Sequence, residues 1–223
     1  MNFGLSFSYV FKDPDWFKKV AIPALCGLIP VVGQFVVAGW ALKATKNVID
    51  GNEEHALPEL EFGPDLGRGF MSFLIGFIYG LIPAILMSFA GGLFGWGADV
   101  YEEALMIIMY IAGGCLGLVG ILVGLLFGFL GMTGIANYVA KGEFKAAFQF
   151  KELFAMIKKS FVSWLLVLLG AILTTGIIAP LGSIACGIGV LLTTAYANVV
   201  YAHLLGQAYN KSKDTTFEAV ETL

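Results

Sequence analysis

The sequence predicts an all-α, polytopic membrane protein: four full transmembrane helices, a proline-broken segment, and interfacial amphipathic helices. Composition is the first observation behind this. Hydrophobic residues make up 58% of the 223-residue chain and charged residues only 13%, with a mean hydropathy of +0.85, whereas soluble domains are about 45–50% apolar and about 25% charged. The second observation is that four long stretches carry no formal charge: Val20 to Leu42, Gly69 to Ala98, Ala104 to Ala140 and Ser160 to Asn210. One crossing takes about 20 apolar residues, so the last stretch holds two helices, hinged at Pro180, Leu181 and Gly182. The third is the lack of period-two alternation, which argues against a barrel.

The first segment places Phe3, Phe7, Val10 and Phe11 at helical spacing, which suits a short helix lying on the membrane surface. Asp13-Pro14 ends it, and Trp16, Phe17, Lys18 and Lys19 read as an aromatic and basic anchor that completes an interfacial unit over 1–19. In 20–42, Pro23, Pro30 and Gly33 interrupt a run barely long enough to cross once, so it is either re-entrant or a fifth transmembrane segment. Charge favours re-entry: all thirteen Lys and Arg then fall on one side, with Asp99, Glu102 and Glu103 opposite, and cytoplasmic loops are the ones that collect positive charge.

The expected plan is therefore a single membrane domain, 1–223, in a cell (inner/cytoplasmic) membrane. Residues 43–68 form a cytoplasmic loop with a turn at Asp50-Gly51-Asn52. The second hairpin is 69–98 with 104–131, interfacial helices fill 132–159, the third hairpin is 160–210, and 211–223 is a tail. Loops 43–68 and 141–159 and the C-terminus are cytoplasmic. Trp16, Trp40, Trp96 and Trp164 are expected as interface anchors, and the start of the chain shows no pattern of a cleaved signal peptide.

Within Ala104 to Ala140, Gly113, Gly117, Gly120, Gly124, Gly128 and Gly131 recur at helical spacing and lie on one face. In lipid, such a face lets another backbone approach closely enough for dispersion to hold the pair. The stripe therefore reads as a helix-packing spine, against the chain's own hairpins or against a neighbouring subunit.

Several short patterns run through the chain in order. They are Asp13-Pro14-x-Trp16, the proline-interrupted apolar run, Asp50-Gly51, Leu57-Pro58-Glu59, Gly142-x-Phe144-x-Ala146-Ala147-Phe148, and Ala202-His203-Leu204-Leu205-Gly206-Gln207-Ala208-Tyr209. Together they resemble a family of prokaryotic polytopic membrane proteins called domain of unknown function 4013. Leu60 stands where that family often has Trp. The resemblance implies a multi-helix bacterial or archaeal membrane protein and implies no activity.

Intramembrane ionisable residues are the default functional signal in such a protein, and His203 is the single candidate. Tyr196, His203 and Gln207, with Asn210, share one helix face and form a candidate polar path. Glu53, Glu54, Glu59 and Glu61 beside His55 match no zinc or calcium spacing and read as a solvated face. Cys26, Cys115 and Cys186 lie in apolar runs, far apart, and read as packing residues. With no nucleophile–base pattern, phosphate loop or metal motif, the chain is expected to be no enzyme and to use no cofactor or metal. Its expected partners are the lipid bilayer and a second copy or partner membrane protein, with no nucleic acid. The expected role is a non-catalytic scaffold or membrane-shaping component. The alternatives are a small-solute channel or passive transporter, or an accessory subunit of a larger complex.

Overall fold

A computed structural model describes residues 1–52, 57–185 and 188–218, and among these the chain is helix and turn with no strand. The helices are α1 (Phe3–Ser8), α2 (Trp16–Cys26), α3 (Val32–Ile49), α4 (Phe62–Asp99), α5 (Glu103–Lys141), α6 (Phe150–Lys159), α7 (Phe161–Leu173), the single turn α8 (Ala179–Leu181) and α9 (Ile188–Glu218). Tight turns at Tyr9–Lys12 and Phe144–Phe148 link them, and a widened turn at Thr174–Ile178 joins α7 to α8. That widening sits just before Pro180, whose ring crowds the preceding turn and whose nitrogen has no proton to donate. Four stretches are long and apolar enough to cross a membrane: Phe62–Asp99, Glu103–Lys141, Phe161–Ile184 and Gly189–Lys213. The protein is a multi-pass membrane protein.

Helices α4 and α5 form a hairpin of 38 and 39 residues, each roughly 57 Å long at 1.5 Å per residue. That is nearly twice a hydrocarbon core of about 30 Å. One end is embedded in the bundle, where Ile75, Tyr79, Leu130, Ala136 and Val139 are buried. Toward the turn at Val100–Glu102 the hairpin stands clear of the rest, with Phe89, Trp96 and Leu122 each about two-thirds exposed. Two expected boundaries move. The stretch 43–68 is mostly helical, because α3 runs on to Ile49 and α4 begins at Phe62, and α5 continues unbroken through 132–141. Polar residues within these extensions make the difference, since Lys43 pairs with Asp65 at 3.1 Å and Gly142, at φ 72°, caps α5 in the left-handed region.

The 20–42 segment doubles back. Residues 2–27 run antiparallel to α9, from Asn2 beside Gln207 to Gly27 beside Leu191. Helix α3 then returns parallel to α9, ending with Val48 beside Gly206 and Asn210. Asn2 and Val48 thus lie by the C-terminal half of α9, Val20 lies by Leu192 and Tyr196 in its first half, and the bend lies by its start. The bend is a three-residue turn in which Val32 N–H donates to the Pro30 carbonyl at 2.7 Å, with Val31 at φ 64°. A β-branched residue there is strained by about 1–3 kcal/mol. Leu25, Leu28, Ile29 and Val31 form an exposed apolar tip around it.

Two of the closest backbone approaches in the bundle lie at the α3–α4 crossing. A Cβ on Gly39 would fall on the Asp65 carbonyl oxygen, and one on Gly69 would fall on the Phe35 carbonyl oxygen. Gly39→Ala or Gly69→Ala should therefore destabilise the detergent-solubilised protein by about 1–3 kcal/mol or more. Gly91→Ala, where a Cβ meets nothing within 4 Å, should be neutral or stabilising by up to about 1 kcal/mol. Thermal unfolding of the three variants checks this, and equal effects would contradict the crossing.

Candidate functional site

On the polar face of α9 the buried side chains of Ser6, His203 and Gln207 converge. Gln207 Oε1 accepts from the Asn2 N–H at 2.6 Å, and its Nε2 donates to the Asn2 carbonyl at 3.1 Å. Backbone partners of fixed character thus orient the amide. The same Nε2 faces His203 Nδ1 at 3.0 Å, so that ring nitrogen accepts and the ring proton sits on Nε2. Ser6 Oγ lies 2.9 Å from His203 Nδ1, the Tyr9 ring lies 4.5 Å from the imidazole, and Tyr196 Oη donates to the Phe7 carbonyl at 2.8 Å.

The candidate path of Tyr196, His203 and Gln207 is therefore filled by residues 2–9. His203 is fully buried there. This also corrects the expectation of an N-terminal helix lying on the membrane surface: Ser6, Tyr9 and Val10 are buried against α9. Asn2 and Ser6, the polar positions immediately before Phe3 and Phe7, were the signal for docking. Asn210 points the other way and donates to the Val48 carbonyl at 2.7 Å, beside Thr45, which donates to the Ala202 carbonyl at 2.7 Å.

Two further polar knots tie the elements together. Asp13 accepts from Asp15 N–H at 2.8 Å, Leu57 N–H at 2.7 Å and Lys19 Nζ at 2.8 Å. Burial raises its carboxyl pKa, but these donors outweigh that and hold it below the usual range. Glu152 receives Lys213 at 2.7 Å and Lys141 at 2.5 Å, with Asn137 at 3.3 Å, joining α5, α6 and α9. Burial again opposes ionisation there, and the lysines prevail, bringing its pKa to about 2.

Five stripe glycines face α4 of the same chain. Gly113 meets Ala90 and Phe94, Gly117 meets Ala90, Gly120 meets Met87, Gly124 meets Pro83, and Gly131 meets Tyr79. A Cβ on Gly128 would meet nothing within 4 Å. Of the four expected interface tryptophans, Trp96 is 70% exposed and Trp16 is intermediate, but Trp40 and Trp164 are fully buried. Their indole N–H groups donate to the carbonyls of Pro58 at 2.8 Å and Met156 at 3.3 Å, which lets both rings enter the core. Cys26 is half-buried and Cys115 exposed. Cys186, Glu53, Glu54 and His55 lie outside the described residues, and among those described no three His, Cys, Asp or Glu gather as metal ligands.

Two tests follow from these knots. Gln207→Leu should free the N-terminal segment, seen as at least tenfold faster proteolysis within residues 1–12, while Ser8→Ala, at an exposed position, should leave the rate unchanged. Because the Glu152 pKa is depressed from about 4.3 in the unfolded chain to about 2, its stabilisation is complete above the higher value and fades as pH falls toward the lower. Unfolding measured from pH 6 down to about 2 should show that loss in the wild type and much less of it in Glu152→Gln.

No curated protein and no solved structure matches the chain. The sequence model of one family does, over residues 22–188, and its description reads Protein of unknown function (DUF4013). Two short motifs within the matched stretch are places where elements lock. Leu57-Pro58-Glu59 serves Asp13, Trp40 and Lys43. The Ala146 and Ala147 carbonyls accept from Asn137 and Tyr79. Three-quarters of the chain lies within the matched stretch, and the protein belongs to the DUF4013 family.

Proposed function

We propose that this is a non-catalytic integral membrane protein that works through helix packing and assembly, as a scaffold or membrane-shaping component. The observation that carries this is the outer face of α4. Gly76, Gly80, Ala84, Ser88 and Gly92 recur every fourth residue and all are exposed, the spacing at which small residues let two membrane helices cross closely. The first two line a 260 Å³ cleft with Gly124, Gly128 and Tyr201. The last three line a 520 Å³ groove flanked by Leu81, Ile85, Phe89 and Trp96. The glycine stripe of α5 is engaged within the chain, so the α4 ladder is the face left for a neighbour, and the fitting partner is the same face of a second copy.

The membrane-shaping part rests on depth. The α2–α3 bend carries a bare apolar tip behind Lys12, Lys18 and Lys19, so it enters the bilayer and returns on the side it came from. With it, the basic residues gather at the bundle end, which the positive-inside rule makes cytoplasmic in a cell membrane. A shallow hairpin beside a full-length one displaces lipid unequally in the two leaflets.

The test is mass measurement in mild detergent. The wild type should form dimers or larger species, and Gly80→Leu with Ala84→Leu should shift it to monomer without unfolding it. A wild type that is monomeric at all concentrations, in detergent and in lipid discs, would sink the assembly reading.

A further inference from the structure

A further cavity lies at the charged end of the bundle and plays no part in the packing face. It measures 440 Å³ and is lined by Lys43, Lys46 and Asn47 of α3, Pro58, Arg68 of α4, and Tyr138, Val139 and Gly142 at the end of α5. That volume is within the range of about 300–1,000 Å³ typical of small-molecule sites. Its position is set by α4: Arg68 is followed by Phe70, Met71 and Phe73, each about 40–50% exposed. The cavity therefore sits one helical turn from the start of the lipid-facing surface, at headgroup depth.

The lining is rich in unused donors. Arg68 Nη1 donates to Asp65 Oδ1 at 2.7 Å and to the Gly39 carbonyl at 3.3 Å. That leaves Nε and Nη2 with no partner among the described residues. Lys46 spends one proton on Asp50 at 2.5 Å, and the Asn47 amide and Tyr138 hydroxyl have no hydrogen-bond partner among the described residues. Lys43 is saturated by the Glu59 carbonyl at 2.8 Å, Glu61 at 2.7 Å and Asp65 at 3.1 Å, and it acts only through its charge.

The charges decide what such a site takes. The cations Lys43, Lys46 and Arg68 are balanced by Asp50, Glu61 and Asp65, and Asp65 is fully buried. A site with several converging donors and no net positive field suits a singly charged oxyanion; a polyanion would need excess charge. An arginine edge presenting two parallel N–H groups matches two oxygens on one phosphorus. We propose that this cavity binds the phosphodiester of a phospholipid headgroup, with the acyl chains laid along Phe70 and Phe73.

The experiment is native mass spectrometry of the delipidated full chain in mild detergent. It is titrated with dioleoyl phosphatidylglycerol or with dioleoylglycerol, which has the same tails and no phosphate. The first phosphatidylglycerol should bind at least tenfold more tightly than dioleoylglycerol. Lys46→Gln with Tyr138→Phe should remove most of that difference and leave dioleoylglycerol binding unchanged, and Arg68 is kept because it also holds Asp65. Tyr138→Phe alone, a change that keeps the ring, should weaken phosphatidylglycerol several-fold. Equal binding of the two lipids, or a double variant with wild-type preference, would overturn the proposal. Displacement of phosphatidylglycerol by millimolar inorganic phosphate would overturn the lipid assignment and make this a free-phosphate site.

Discussion

Much of this structure depends on two glycines that let backbones touch. With Gly39 and Gly69 facing each other, α3 and α4 approach so closely that each places the other's neighbouring carbonyl where a methyl group would be. Hydrophobic drive between helices is weak in lipid, so such proximity has to supply dispersion energy by itself. The crossing also fixes the polar layer above it. It brings Lys43 to the Asp65 oxygen that Arg68 of the same helix also holds, and Trp40 to the Pro58 carbonyl. A wider crossing would separate Lys43 from Asp65 and leave that buried carboxylate with only Arg68 and the Glu61 N–H, which is costlier than losing an exposed ion pair.

The crossing helices were legible from charge-free length alone, because in a membrane every backbone group must be satisfied within its own helix. What each helix touches was not. The tetrapeptide Gly-Leu-Ile-Pro shows the limit. At Gly27–Pro30 it ends a helix and turns the chain, and at Gly80–Pro83 it sits inside a continuous one. The outcome is decided outside the tetrapeptide: Gly33 lets α3 fold back onto the Cys26 carbonyl, while Gly124 of α5 accepts the Pro83 ring. Periodicity located the α5 glycines, but the exposed ladder on α4 has two of its five positions filled by alanine and serine, and a glycine count overlooks them. Trp40 and Trp164 were misplaced for a related reason. A tryptophan near a helix end reads as an interface anchor unless a carbonyl on a distant segment is known to await its N–H.

The polar residues of the chain act mainly as fasteners. Asp13 and Glu152 each join three segments, Asp13 through backbone and side-chain donors and Glu152 through side chains alone, while Gln207 ties the N-terminal segment to α9. In the sequence they appear as isolated polar letters beside a proline, a lysine pair or a histidine. Their partners lie up to 205 residues away, beyond the reach of any local pattern.

The docking of residues 2–9 on α9 joins residues up to 205 positions apart in the chain. Ribosomes add about 5–20 residues per second, so Ser6, Tyr9 and Val10 wait on the order of ten seconds or more before the surface that buries them exists. Until then, the nascent chain has to keep this apolar segment from seating elsewhere, and a chain without α9 lacks the surface that covers it. Completion of the bundle is thereby tied to the synthesis of α9, and an undocked 2–9 segment distinguishes a molecule whose α9 has not yet been made.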